Sequence, residues 1–131
     1  MMPLKTYLKY FFFILKNWGI SLAAFTLYHE IRGEKKYGIK TTGFNNLSKL
    51  KVESANKRSA FIYQPVNYYM AEKAFGYLTS LNPEGYLVDF GSGKGRIMTI
   101  AAHFGFKKIT GVEFAPELCK AAALNMECAM T

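Results

Sequence analysis

Residues 86–96, YLVDFGSGKGR, combine a short apolar run, an acid and three glycines within five positions. Such a loop lets the backbone approach a bound molecule closely, because glycine has no side chain and readily takes positive φ. Lys94 and Arg96 add two cations, which we expect to face solvent or to pair with acids. The residue types and their spacing therefore indicate a loop that binds a phosphate, a nucleotide or a cofactor.

Two common nucleotide-binding patterns fit this loop poorly. The P-loop pattern GxxxxGK[ST] requires a glycine where this chain has Val88. It also requires a metal-binding Ser or Thr where this chain has Gly95. The dinucleotide pattern GxGxxG accepts Gly91 and Gly93 but meets Arg96 at its third glycine. The sequence gives no support for P-loop binding of ATP or GTP and leaves a nicotinamide-binding Rossmann protein as an open alternative.

A third pattern, acid-x-Gly-x-Gly-x-Gly at the end of a strand, is met in full by Asp89, Gly91, Gly93 and Gly95. An acid before the loop suits a cationic ligand and not a pyrophosphate. S-adenosylmethionine carries an ammonium and a sulfonium and has no phosphate. Glu113 ends the next predicted strand, 24 residues after Asp89. This is about the distance expected for an acid that binds ribose hydroxyls in a βαβ unit.

The runs 88-VDFGSGKGR-96 and 111-GVEFAPELCKAA-122 resemble motifs I and II of class I S-adenosylmethionine-dependent methyltransferases. The upstream run 63-YQP-65 resembles the segment that, in several such families, precedes the first strand and closes over the cofactor. Together these runs cover about residues 60–126 of the chain, and residues 1–60 match no family pattern.

The resemblance implies a set of residues that bind S-adenosylmethionine. The methionine end of the cofactor would be held by Asp89, Gly91, Ser92, Gly93 and Gly95. Glu113 would bind the ribose, and Phe114 would lie along the adenine. Tyr63 and Gln64 are further candidates for contacts with the cofactor.

The resemblance also implies a reaction, in which an acceptor nucleophile attacks the sulfonium methyl in line with the departing sulfur. Catalysis would come mainly from proximity and alignment. The family has a seven-stranded sheet, whereas two strands are predicted here, so the region that often holds acceptor-binding and catalytic residues is missing. No catalytic base can be named, and the acceptor stays open between a protein side chain and a small molecule. The alternative is a non-catalytic, truncated or membrane-associated fragment that retains the motif.

The elements around the loop indicate an α/β protein with a Rossmann-like parallel sheet, truncated after two strands and preceded by an apolar N-terminal helix. Strands are predicted at 86–90 and 109–113, with helices from near Lys94 to Gly105 and from Pro116 to about Met126. A further helix is expected over 63–81, with Pro65 in its first turn. Its predicted apolar stripe consists of Val66, Met70, Ala74, Tyr77 and Leu81. A sheet of two parallel strands would leave apolar faces uncovered.

Residues 7–30 are apolar except for a few positions such as Lys9, Lys16 and Asn17. Three interpretations stay open: a helix packed in the domain, an interfacial helix with snorkelling lysines, and a membrane span. Lys16 and Asn17 near the middle count against a span. The predicted organisation is an N-terminal helix at 1–30, a basic connector at 31–60 and a partial cofactor-binding domain at 61–131.

The charge is concentrated in the N-terminal part of the chain. Residues 1–60 hold eleven Lys and Arg against three acids, whereas residues 61–131 hold six of each. The balanced charge around the loop argues against a nucleic-acid groove there. The basic N-terminal part, beside an apolar helix, suits anionic lipid, so a membrane surface is a candidate partner through residues 7–30.

Cys119 and Cys128 lie nine residues apart in one predicted helix, about 13 Å by helical rise, which is too far for a disulfide. No CxxC or Cys/His cluster suggests a structural zinc site. Reduced thiols predict a cytoplasmic protein, with membrane association left open.

Overall fold

The computed structural model describes residues 1–43, 45–46, 62–81 and 85–130, and these fold as a mixed α/β protein. Its elements in chain order are α1 (Leu4–Trp18), α2 (Ile20–Tyr37), β1 (Asn45–Asn46), β2 (Ile62–Tyr63), α3 (Tyr68–Leu81), β3 (Tyr86–Phe90), α4 (Arg96–His103), β4 (Lys108–Val112) and α5 (Pro116–Met130). β3 and β4 pair in parallel, from Tyr86 opposite Lys108 to Phe90 opposite Val112. The predicted parallel α/β arrangement is confirmed.

The apolar N-terminal segment forms two helices, so the prediction of a single helix over 7–30 is wrong. Gly19 separates α1 from α2 with a φ of +89°, a backbone conformation that suits glycine. α1 and α2 pack as a hairpin. Ile14 and Ala23 share one buried apolar cluster, and the Tyr7 hydroxyl donates a hydrogen bond to the Glu34 carboxylate. No helix in the described part of the chain is long and apolar enough to cross a membrane.

α2 extends to Tyr37, so the first residues of the segment predicted as an irregular connector are helical. The next described strand residues, Asn45–Asn46, pair antiparallel with Ile62–Tyr63. Residue 44 and residues 47–60 of the predicted connector lie outside the described residues.

α3 begins later than predicted, because Asn67 caps it. The Asn67 side-chain oxygen accepts a 2.9 Å hydrogen bond from the Tyr69 amide, which satisfies one of the free N–H groups of the first turn. Pro65 therefore precedes the helix and does not lie in its first turn.

α3 also buries a different face from the predicted stripe. The buried residues are Tyr68, Ala71 and Phe75, whereas Val66, Met70, Ala74, Tyr77 and Leu81 are exposed. Tyr68 stacks on Tyr37, and the Phe75 ring packs edge-on against Phe106. The larger aromatic contacts decide the orientation, because burying a large ring removes more apolar surface from water.

The main core lies between the helices and one face of the parallel sheet. Its buried residues are Tyr37, Ile39, Tyr68, Ala71, Phe75, Ile100 and Ala101. Leu87 of β3 and Ile109 of β4 pack against this cluster. The core therefore joins α2 and α3 to the strand that leads into the glycine loop.

The opposite face of β3 is open. Tyr86, Val88 and Phe90 are 76%, 54% and 80% exposed. Parallel sheets are usually covered on both faces. The expectation that a two-stranded parallel sheet leaves an apolar face uncovered is met by the described residues.

Candidate functional site

The glycine loop, residues 91–95, leaves the carboxyl end of β3 and leads directly into α4. All three of its glycines have positive φ: +78° at Gly91, +54° at Gly93 and +83° at Gly95. The amides of Gly91 and Ser92 donate to the Val112 carbonyl at 2.8 and 3.1 Å. These bonds tie the loop to the end of β4, so the residue after Val112 lies beside the loop.

That residue is Glu113, the acid predicted to bind ribose. Its Oε2 accepts a 2.9 Å hydrogen bond from the Gly93 amide. Its Oε1 accepts from the amides of Phe114 and Ala115, both at 2.9 Å. Glu113 thus connects the glycine loop to the start of α5. A ligand that binds the Glu113 carboxylate must use its remaining acceptor positions or displace one of these amide hydrogen bonds.

Asp89 lies one residue before the end of β3 and is half-buried. Burial and the negative charge of Glu113 raise the pKa of the Asp89 carboxyl above its usual value. Among the described residues, no side chain or amide donates a hydrogen bond to the Asp89 carboxylate. A cationic donor bound at this edge would supply the interaction that the Asp89 carboxylate lacks.

Tyr63 packs on the other side of the loop. Its ring lies so close to Gly93 that a Cβ at Gly93 would overlap it. The Tyr63 hydroxyl donates to the Thr41 carbonyl at 3.3 Å, and the Lys94 ammonium lies 5.0 Å from the centre of its ring. Burial raises the pKa of Tyr63 above its usual value. The structure therefore brings the upstream segment against the glycine loop.

The remaining candidates lie at the rim of this region. The Phe114 side chain is about half exposed and follows Glu113 directly. Gln64 follows Tyr63 and is exposed, whereas Ser92 is buried within the loop. The structure thus gathers Asp89, Glu113 and Tyr63 around the loop and leaves the phenyl ring of Phe114 open to solvent.

The two loop cations do not face solvent. Lys94 and Arg96 are 7% and 2% exposed. Burial, followed by repulsion from Arg96, lowers the pKa of Lys94. Arg96 pairs with an acid, which is one of the two arrangements expected from the sequence. Because Arg96 is buried against Glu30, it is not a cation presented to a ligand of the loop.

The acid that pairs with Arg96 is Glu30, for which no functional role was predicted. The Glu30 carboxylate binds both terminal nitrogens of the Arg96 guanidinium, at 2.8 and 2.6 Å. Thr41 and Thr42 complete the cluster: Thr41 Oγ1 accepts from Arg96 Nε, and Thr42 Oγ1 donates to Glu30, each at 2.8 Å. A carboxylate within a largely apolar helix is the sequence signal for such a pair, since a buried acid needs a partner.

A second acid of α2, Glu34, holds the segment that follows the helix. Its carboxylate accepts from the Tyr7 hydroxyl at 2.5 Å and from the amides of Thr41 and Thr42 at 2.9 and 2.8 Å. Burial acts to raise the pKa of Glu34, but these hydrogen bonds outweigh it and the net pKa lies below the usual value. Glu30 and Glu34 together fix residues 41 and 42 next to Tyr63 and Arg96.

A cavity of about 480 Å³ lies beside this region, between the N-terminal hairpin and residues 64–67. Its lining includes Tyr10, Trp18 and Leu22 from the hairpin. Asn67 also lines the cavity, and its amide nitrogen has no hydrogen-bond partner among the described residues. The cavity has the size and the largely apolar lining of a small-molecule pocket.

No protein-family model, curated protein or solved structure matches this chain. Within the described residues, no group of three or more His, Cys, Asp or Glu side chains could hold a metal ion. The two cysteines, Cys119 and Cys128, are exposed and are not joined by a disulfide. A functional interpretation therefore rests on the geometry of the glycine loop and on its motif resemblance.

Proposed function

We propose that this chain is the S-adenosylmethionine-binding part of a class I methyltransferase. The observation that carries the proposal is the convergence of Asp89 and Glu113 on one glycine loop, each from the carboxyl end of a parallel strand. In open α/β sheets, ligands bind at this edge of the strands. The arrangement matches the order of motifs that the sequence resembles.

The charges around the loop favour a cationic ligand. Asp89 and Glu113 lie close enough for the charge of Glu113 to raise the pKa of Asp89. Arg96 is neutralised by Glu30, and Lys94 is buried against the Tyr63 ring, so neither cation is exposed to a ligand at this edge. An ammonium or a sulfonium would relieve the repulsion between the two carboxylates, whereas a pyrophosphate would add to it. This argument supports S-adenosylmethionine over a nicotinamide dinucleotide.

Each acid then has a separate role in binding. Asp89 accepts from the ammonium of the methionine end, because its carboxylate has no donor among the described residues. Glu113 accepts from the ribose hydroxyls. A carboxylate has about four acceptor sites, and three amides already use the Glu113 carboxylate. Binding both ribose hydroxyls therefore requires at least one of these three amides to give up its hydrogen bond to Glu113. Of the three, only the Gly93 amide belongs to the glycine loop.

The cofactor, when bound, supplies an electrophilic methyl group. The residues of this chain bind and orient the cofactor, so their contribution to the reaction is alignment of the methyl group with an incoming nucleophile. None of the described residues is assigned as a catalytic base, and the acceptor stays open between a protein side chain and a small molecule.

Calorimetric titration of S-adenosylmethionine and of NAD⁺ into the purified chain tests the ligand class. We expect heat of binding with S-adenosylmethionine and none with NAD⁺ at the same concentrations. Glu113→Gln should weaken the binding by about tenfold or more, since the neutral amide is a poorer acceptor for two hydroxyls. Binding of NAD⁺ in preference to S-adenosylmethionine by the folded chain would refute the proposal.

A further inference from the structure

The exposed surface of α1 is not explained by packing within the chain. α1 buries Tyr7, Tyr10 and Ile14 against the rest of the protein. Beside this face, Leu4, Leu8 and Phe12 form a stripe at helical spacing and are 73%, 46% and 60% exposed. A helix that only packs on a core has polar residues outside its buried face. α1 therefore has a second apolar face.

α2 continues the apolar surface of α1. Its exposed residues include Ile20, Ala24, Tyr28 and Ile31. By helical spacing, the stripe of α1 lies beside the buried Tyr7 and away from the buried Tyr10. The stripe of α2 lies on the side away from the buried Thr26 and Tyr37. The two stripes therefore share the outer surface of the hairpin, which we call the outer hairpin surface. Its residues are Leu4, Leu8, Phe12, Ile20, Ala24, Tyr28 and Ile31.

Lysines border the outer hairpin surface. Lys5, Lys9 and Lys16 lie along one line of α1, directly beside the apolar stripe, and all three are exposed. Lys35 lies on α2, one helical turn after Ile31, and is exposed as well. None of these four lysines forms an ion pair with a described residue. The border is thus a set of cations available to an anionic partner.

We propose that the outer hairpin surface docks on an anionic lipid bilayer. An apolar helix face flanked by lysines is the pattern of helices that lie in the plane of a membrane interface. The apolar side chains would enter the boundary of the acyl chains, while the lysine stems extend to the lipid phosphates. This inference goes beyond the proposed cofactor site and does not depend on it.

Sedimentation of the full chain with lipid vesicles tests the proposal. The vesicles contain either phosphatidylcholine alone or a mixture with phosphatidylserine. We expect the chain to bind the mixed vesicles at least about tenfold more strongly, because each lysine near an anionic surface contributes roughly a fivefold factor. Raising the salt concentration should weaken this preference, since salt screens the attraction.

Two pairs of variants separate docking from a general change in charge. Leu8→Glu with Phe12→Glu should lower binding to the mixed vesicles by about tenfold or more, because charges replace apolar side chains on the docking surface. The matched control is Leu124→Glu with Tyr77→Glu, which places the same two charges at exposed positions on α5 and α3. The control should bind like the unchanged chain.

The second pair changes the lysines without altering the apolar stripe. Lys5→Gln with Lys9→Gln should lower the preference for phosphatidylserine, whereas Lys73→Gln with Lys120→Gln, exposed on α3 and α5, should not. Equal loss in each variant and its control would overturn the proposal. The proposal would also be overturned if the unchanged chain did not sediment with the vesicles. Analytical ultracentrifugation would then show whether this surface instead joins two copies of the chain.

Discussion

Arg96 and Glu30 form a buried ion pair in which two guanidinium nitrogens contact two carboxylate oxygens, although the residues are 66 positions apart. Their side chains are 3% and 0% exposed. The guanidinium also lies 3.9 Å from the centre of the Tyr68 ring. Because Arg96 is the first residue of α4, directly after the glycine loop, this pair fixes the loop to α2. The position of the candidate site therefore depends on the N-terminal helices.

Breaking this pair should destabilise the chain strongly. Arg96→Met leaves the Glu30 carboxylate buried without its counter-ion, so we expect a loss of about 3–5 kcal/mol in the free energy of unfolding. Urea denaturation followed by circular dichroism measures this change. Arg32→Met is the matched control, since Arg32 forms an exposed ion pair with Glu72 and should cost about 0–1 kcal/mol.

The double variant Arg96→Met with Glu30→Met should be more stable than Arg96→Met alone. Two apolar side chains replace both buried charges, so no charge is left without a partner. A double variant that is as unstable as the sum of both single variants would contradict the assignment of the loss to an unpaired buried charge.

Two glycines of the loop should respond differently to alanine. Gly91→Ala meets no atom within 4 Å, so its cost is the positive φ alone, about 1–2 kcal/mol. Gly93→Ala has the same kind of backbone strain and also places a Cβ into the Tyr63 ring, so it should cost more. Urea denaturation of both variants measures the difference.

Removal of the Tyr63 ring should restore part of the stability that Gly93→Ala loses. In a background of Tyr63→Ala, the added cost of Gly93→Ala should fall towards that of Gly91→Ala, because only the backbone strain is left. An unchanged cost in that background would mean that Tyr63 does not pack on the loop in solution.

Asp89→Asn should raise the melting temperature of the ligand-free chain. The pKa of Asp89 is raised in the folded state by burial and by Glu113, so the ionised carboxylate disfavours folding at neutral pH. Asparagine resembles the protonated form and removes this cost. The gain should shrink as the pH falls through the folded-state pKa of Asp89, which lies above the ordinary 3.8. Thermal unfolding of Asp89→Asn and of the unchanged chain at pH 7 and at pH 4 measures this gain. A melting temperature of Asp89→Asn below that of the unchanged chain at pH 7 would contradict the argument.

Glu72 should contribute stability that is lost in acid. Burial acts to raise its pKa, but Lys36, Arg32 and Tyr37 outweigh burial and lower the pKa to about 2. A carboxyl whose folded-state pKa is lowered stabilises the protein above its ordinary value of 4.5, and this contribution disappears as the pH falls towards about 2. The difference in unfolding free energy between the unchanged chain and Glu72→Gln should therefore narrow across this range. A constant difference would show that Glu72 is not held as an ion in the folded chain.

The parallel strands and the glycine loop could be predicted because their signals are local. β3 is a short apolar run next to three glycines, and Pro116 opens α5 where its fixed φ is favourable. The predicted and observed bounds of β3 agree, and those of β4 differ by one residue.

The features that the sequence did not predict depend on contacts between distant residues. The inward face of α3 is set by Tyr37 and Phe106, and periodicity within 63–81 carries no information about either. The partner of Arg96 lies in α2, which the charge pattern of the loop does not reveal. The N-terminal apolar segment turns at Gly19, and the resulting hairpin is held by contacts such as the hydrogen bond of Tyr7 to Glu34, 27 positions away.

The most direct test of the proposed site is calorimetric titration of S-adenosylmethionine into the unchanged chain and into Asp89→Asn, with Glu127→Gln on α5 as the charge-matched control. We predict that Asp89→Asn binds at least about tenfold more weakly while its melting temperature is not lowered, because a charge-assisted hydrogen bond to the ammonium is lost and the fold is kept. The control should bind like the unchanged chain. Equal affinity in all three, or no binding by the folded unchanged chain, would contradict the assignment of this loop as an S-adenosylmethionine site.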